Sequence, residues 1–239
     1  MKKLLINRIT IPWSPFYRKH PYQGHASIHS VNDRNLVDFD LGIFCTRIPK
    51  AANSTIVTNL AYLKLGKQLR DRDAKKSFRS PVDLSQTEVS SLNRLYTFTI
   101  ARNPYTRVLS AYLDKIERVA KKHRKMPSFQ EFISYLEYNG LYKNAHWAPQ
   151  TELMTLPASH YDLLGKTENL DETLKQLFHN VTPRYPLDTP ITAKRNTMGA
   201  SQRLSEYYTP NLADRIFSLY RDDFLIFEYP QDLPSKRAK

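Results

Sequence analysis

Leu41-Gly42-Ile43-Phe44-Cys45-Thr46-Arg47-Ile48-Pro49-Lys50-Ala51-Ala52-Asn53-Ser54-Thr55 passes from a short apolar run through a polar turn into a helical pattern. Leu41–Thr46 has the character of a buried strand. Beyond the turn Ile56, Leu60 and Leu63 recur at i, i+4 and i+7, and Gly66 is placed to close the helix. The same order returns downstream. Tyr96–Ile100 is strand-like, and Arg102-Asn103-Pro104 is a helix start with Asn at the cap and Pro at the first helical position. Val108, Tyr112, Ile116 and Val119 then form one stripe that runs into the basic Lys121–Lys125. Ser128 with Glu131 makes a capping box for a helix bearing Phe129, Phe132, Ile133 and Leu136. Tyr161–Gly165 reads as a third strand, followed by a helix from Asp171 to Phe178. Thr209-Pro210 opens a further helix, and Phe224–Phe227 reads as a late strand. Strands alternating with helices predict an α/β fold with a central, mostly parallel sheet flanked by helices.

With 239 residues the chain suits one domain, expected to span residues 1–239. Pro12 to Asn35 lacks periodicity, so residues 1–40 are expected to be an irregular arm and 231–239 a flexible basic tail. Hydrophobic residues at 41% and charged residues at 25% match ordinary globular usage and exclude wholesale disorder. The single cysteine, Cys45, excludes an internal disulfide framework and reads as an inert core thiol, which suits a reducing, cytoplasmic compartment. No stretch approaches the roughly 18 apolar residues of a membrane span. Met1–Ile6 resembles the start of a signal peptide, but Asn7 and Arg8 interrupt it. The net charge of +13 points to a polyanionic partner without choosing among nucleic acid, anionic surfaces and phosphorylated or sulfated molecules.

In an open parallel sheet, ligands bind where strands end and helices begin. Two such junctions carry anion-adapted residues. At the first, small Ala51 and Ala52 allow a tight turn, and the free N–H groups at the start of a helix favour an anion. Lys50 can reach over it while Ser54 and Thr55 add hydroxyls; a capped helix with a solvated lysine is the plain alternative. At the second junction Arg102 and Arg107 are suitable phosphate ligands, with Ser110 three residues beyond Arg107. Here the alternative is an Arg107 that pairs with a neighbouring acid. Two such junctions in one sheet suit a ligand with two separated phosphate-like groups.

The residues then become recognisable. Arg47–Thr55 resembles the motif by which sulfotransferases bind the 5′-phosphosulfate of 3′-phosphoadenosine 5′-phosphosulfate (PAPS), and Phe98–Tyr112 resembles their 3′-phosphate motif, R-[DN]-P-x-x-R-x-x-S-x-Y. His146-Trp147-Ala148-Pro149-Gln150, Tyr161–Leu170 and the ending Tyr220-Arg221-Asp222-Asp223-Phe224…Phe227-Glu228-Tyr229 are similar to the Golgi carbohydrate sulfotransferase branch. The resemblance runs from about Phe44 to Tyr229 and implies a P-loop-NTPase-like sulfotransferase fold. The branch's usual membrane anchor and stem are missing, as are the cysteines that commonly follow its His-Trp string, where Met154 stands instead of the first. These departures point to a soluble bacterial relative with no integral membrane contact.

What the resemblance implies is transfer of a sulfuryl group from PAPS to a hydroxyl, most simply on a carbohydrate, with no metal and with adenosine 3′,5′-bisphosphate as the leaving product. It places Lys50 on the oxygen between phosphorus and sulfur, with Ala51, Ala52, Asn53, Ser54 and Thr55 around the 5′-phosphate. Arg102 and Ser110, with Arg107, are assigned to the 3′-phosphate, and Lys194 and Asn196 to a late loop that either closes over the cofactor or is simply exposed. For the general base, His146 leads and Glu168 follows, since imidazole accepts a proton near neutral pH. Two rival classes remain weaker. A nucleotide kinase would carry a Gly-rich loop ending in Lys-Ser/Thr, and a nucleic-acid-binding module would carry aromatics among its basic run; neither feature is present.

Overall fold

The structure, a computed structural model, describes residues 10–117, 127–181 and 199–234. A sheet of four strands lies at its centre in the order β1 (Asn35–Asp38), β2 (Ile43–Thr46), β3 (Tyr96–Ala101) and β4 (Leu163–Lys166). β2, β3 and β4 are parallel, and β1 pairs antiparallel with β2, Asn35 opposite Thr46. The carboxyl ends of β2, β3 and β4 therefore share one edge, and β1 starts there.

Alternation along the strands assigns the two faces. Ile43, Cys45, Phe98 and Ile100 pack with Ile56, Val57 and Leu60 of α1 (Asn53–Leu65). Leu174, Leu177 and Phe178 of the helix that follows β4 complete that face. Gly66 closes α1 in the left-handed conformation, as its position in the sequence predicts. Gly165 of β4 allows a close approach, since a Cβ there would come within 2.3 Å of Thr173 Cγ2. Cys45 is buried, and desolvation raises its thiol to about 12, so it stays protonated.

Phe44 and Val37 point to the other face, against Phe16, Tyr17 and Val31. The arm expected to be irregular is thus structured from residue 10 onward. It holds helical turns at Pro15–Lys19 and Ile28–Asn32 and the whole of β1. Five-residue helices are too short to show a period of 3.6, and β1 is buried at all four positions, so neither announces itself as a pattern.

A third hydrophobic layer joins α2 (Pro104–Ala111), α3 (Phe129–Tyr135), α5 (Pro210–Leu219) and α6 (Arg221–Ile226), while α4 (Leu170–Val181) follows β4. Three helix starts match the sequence: Asn103 Oδ1 accepts from the Tyr105 N–H, Ser128 and Glu131 form the reciprocal box, and Thr209 caps α5. The late strand is a correction, because Phe224–Phe227 belongs to the turns of α6. Phe224 and Phe227 are buried three residues apart while Leu225 is 63% and Ile226 37% exposed, a helical spacing that a four-residue apolar run does not reveal by itself. Leu204–Tyr207 forms a single helical turn ahead of α5.

Candidate active site

Lys50, Ala52, Asn53, Ser54, Thr55, Arg102, Ser110, His146 and Glu168 line one cleft of about 880 Å³ at the carboxyl edge of the sheet. The start of α4 and Gly199–Gln202 close its far side. Two of the expected residues lie behind the wall, because Ala51 and Arg107 are both fully buried. Lys194, Asn196 and the Lys121–Lys125 run fall outside the described residues.

The first junction is built without glycine. Lys50 has φ 69° and Ala52 φ 50°, both left-handed, and Ala52 precedes α1 with no side-chain cap. The opening N–H groups of α1 therefore receive no capping side chain and face the cleft with the positive end of the helix dipole. Arg47, buried beneath, donates from Nη1 to Asn53 Oδ1 at 3.0 Å and from Nη2 to the Asp33 carbonyl at 2.6 Å. Lys50 Nζ lies 3.1 Å from Asp114 Oδ2, and Lys115 Nζ lies 3.4 Å from the same oxygen. Asp114 sits in a π-helical stretch, Tyr112–Glu117, that continues α2. Burial pushes the Lys50 ammonium below its ordinary value, and the bond to Asp114 opposes that shift.

At the second junction Arg102 donates from Nε to Thr106 Oγ1 at 3.0 Å and from Nη1 to the Lys50 carbonyl at 3.3 Å, so each junction braces the other. A guanidinium has five N–H donors, and the side chain lines the cleft. The backbone of Arg102 and Asn103 is held by Gln150 and Glu168. Ser110 lines the same cleft from α2. Arg107 corrects the expectation. Its Nε, Nη1 and Nη2 donate to the carbonyls of Pro49 (3.1 Å), Ala148 (2.7 Å) and Ala145 (2.9 Å), so it ties two loops together inside the protein and does not line the cleft. Spacing from Ser110 puts it one turn away on α2 but cannot say that the inward side of that turn is already closed.

The two candidate bases stand in different hydrogen-bond settings. Asn144 Oδ1 accepts from the His146 backbone N–H at 3.0 Å and lies 2.8 Å from His146 Nδ1. An oxygen there requires Nδ1 to carry the proton in the neutral ring, which leaves Nε2 as a free acceptor. Burial first, then the cations Lys115, Arg34, Lys50 and Arg107, hold His146 down at about 4, so it is neutral across the ordinary pH range. Glu168 is engaged at both oxygens: Oε1 accepts from the Asn103 N–H at 2.9 Å and Oε2 from the Tyr229 hydroxyl at 2.9 Å. It holds the second junction in place.

The sequence alone does not single out Asp114, Arg47 or Asp223, and it quotes Gln150 within a string without giving it a task. Asp114 has one usable signal, its place four residues after Ser110 on the same helical side. Among the described residues no helix is long and apolar enough to cross a membrane, and no group of three or more His, Cys, Asp or Glu is placed to hold a metal ion.

Several carbohydrate sulfotransferases are similar to this chain in sequence. The mouse (Mus musculus) carbohydrate sulfotransferase 12 is 24% identical over 255 residues, covering 82% of this chain and 60% of the relative. Mouse carbohydrate sulfotransferase 14 is 27% identical over 183 residues, covering 65% of this chain and 48% of the relative. The rat (Rattus norvegicus) carbohydrate sulfotransferase 11 is 25% identical over 163 residues, covering 55% and 46% respectively. The chain thus spans between 46% and 60% of the length of these relatives. No solved structure matches it. A profile described as "Sulfotransferase family" matches residues 33–230, which include the whole sheet and every described residue of the cleft, and the chain belongs to that family.

Proposed function

We propose that this protein transfers the sulfuryl group of PAPS to a hydroxyl of a carbohydrate. The observation that carries the reading is the convergence of two anion-adapted junctions and a proton-accepting histidine on one cleft. The uncapped start of α1 and the Lys50 ammonium fit a 5′-phosphosulfate, and Arg102 with Ser110 fits a second phosphate. The glycan acceptor follows from the relatives, which are named as carbohydrate sulfotransferases.

PAPS supplies a sulfur–oxygen bond to phosphate that breaks as the acceptor oxygen bonds to sulfur. In this chain Lys50 neutralises the charge that develops on the departing bridging oxygen, so it must exchange Asp114 for that oxygen. The N–H groups of Asn53, Ser54 and Thr55 hold the phosphate. Nε2 of His146 takes the acceptor's proton, while Asn144 fixes the ring through Nδ1. Arg102 and Ser110 hold the 3′-phosphate and so set the position of the 5′ end.

Lys50→Ala should cut turnover by about 10²–10³-fold, the scale of losing one transition-state charge contact, while adenosine 3′,5′-bisphosphate still raises the melting temperature. Near-normal turnover in that variant would refute the role. Stabilisation by the bisphosphate without magnesium, and none by ATP–magnesium or DNA, separates this reading from a kinase or a nucleic-acid-binding module. Labelled PAPS tested against a panel of glycans and small alcohols identifies the acceptor.

A further inference from the structure

Two strings in the sequence, His146–Gln150 and Tyr220–Tyr229, carry more than the base, and the hydrogen bonds show what they hold. Arg102 stands between the last residue of β3 and the cap of α2, where neither sheet nor helix fixes its peptide groups. Gln150 does so: its Oε1 accepts from the Arg102 N–H at 2.9 Å and its Nε2 donates to the Arg102 carbonyl at 2.8 Å. The next N–H, of Asn103, donates to Glu168 Oε1 at 2.9 Å. Each clamp is anchored in turn by the C-terminal segment. The Gln150 N–H donates to Asp223 Oδ2 at 2.8 Å, while the Thr151 N–H and hydroxyl donate to Oδ1 at 2.9 and 3.1 Å. The Tyr229 hydroxyl donates to the other oxygen of Glu168 at 2.9 Å. Gln150 and Asp223 are fully buried, so the bonds between these two residues are not available to substrate.

We propose that Gln150 and Glu168, anchored by Asp223 and Tyr229, are positioning residues that aim Arg102 at the donor's 3′-phosphate, and that the C-terminal segment thereby sets selectivity for a 3′-phosphorylated nucleotide. This deepens the sulfotransferase reading and rests on its assignment of Arg102. The paired amide bonds are directional, and Glu168 holds the neighbouring Asn103 N–H from the turn that follows β4. Loosening either clamp lets the Arg102 backbone move while the 5′-phosphate site on α1 is untouched.

The test measures binding of adenosine 3′,5′-bisphosphate and of adenosine 5′-phosphate by calorimetry, with thermal unfolding alongside. Wild-type protein should prefer the bisphosphate strongly. Gln150→Leu should lose about tenfold or more of that preference, and Tyr229→Phe, which removes only a hydroxyl, about threefold, with the monophosphate affinity held within about twofold. Tyr229→Phe keeps the test decisive if Gln150→Leu does not fold. Equal weakening of both nucleotides would show a merely structural role and overturn the inference, as would full retention of the preference in a folded variant. A wild-type protein without the preference would instead overturn the assignment of Arg102, and the inference with it.

Discussion

Replacing Arg107 by lysine separates scaffold from ligand most cleanly. The guanidinium reaches three carbonyls, of Pro49, Ala145 and Ala148, with three different nitrogens at 2.7–3.1 Å, and it is fully buried. Lysine keeps the charge but concentrates it at one nitrogen, which cannot span three acceptors held by two loops. Two bonds are lost. Charge-assisted bonds are worth about 1.5–3 kcal/mol each, so Arg107→Lys should destabilise the ligand-free protein by about 3–6 kcal/mol. For a domain of this size that is a fall of about 6–24 °C in melting temperature. The assay is differential scanning calorimetry with and without adenosine 3′,5′-bisphosphate. Because Arg107 does not reach the cleft, the added ligand should still raise the variant's melting temperature by nearly the wild-type increment. A ligand-free melting temperature unchanged within 2–3 °C, together with loss of the ligand increment, would refute the scaffold assignment and return Arg107 to the phosphate.

Three further outcomes follow from the cleft. His146 must be neutral to accept a proton, so kcat/KM should stay flat as pH falls through 6.5 and drop only toward its value of about 4; an inflection near 6.5 that vanishes in His146→Gln would contradict this. Lys50 must be protonated to act, so activity falls as pH rises through its pKa. Asp114 is the group that opposes desolvation there, and Asp114→Asn should therefore move the alkaline limb to lower pH; a limb that stays put or moves up removes Asp114 from the site. At Ala52, with φ 50°, valine should cost about 1–2 kcal/mol in urea unfolding, while glycine stays near neutral because relief of strain offsets the added freedom of the unfolded chain.

What the sequence makes legible here is local. Asn103-Pro104, the Ser128–Glu131 box, Thr209-Pro210 and Gly66 each state a helix boundary within a few residues, and the structure has all four. Hence both junctions can be read before any coordinates, whereas the wall formed by the start of α4 and Gly199–Gln202 cannot. What is illegible depends on distant partners. Lys50 and Asp114 are 64 residues apart in sequence, and Gln150 and Asp223 are 73 apart, so no spacing rule joins them. Glu168 looks like a candidate base as an isolated carboxylate and becomes a clamp once Asn103 and Tyr229 occupy its two oxygens. The +13 surplus divides in the same way: Arg107 sits inside the fold binding carbonyls, while among the described residues Lys50, Lys75 and Arg102 line the cleft.

The loop without glycine shows why the buried arginine matters to function. Lys50 and Ala52 both occupy left-handed backbone, at about 1–2 kcal/mol each for a residue with a Cβ. That strain would relax by rotating the peptides between Ile48 and Asn53 and turning the start of α1 away from the cleft. Two guanidinium bonds oppose the rotation: Arg107 Nε to the Pro49 carbonyl and Arg102 Nη1 to the Lys50 carbonyl. At about 1.5–3 kcal/mol each they match or exceed the strain. The left-handed shape that glycine adopts without strain is imposed here from the β3–α2 junction. It follows that the left-handed turn at Lys50–Ala52 is held by two separate bonds from that junction, so that loosening one leaves the other in place.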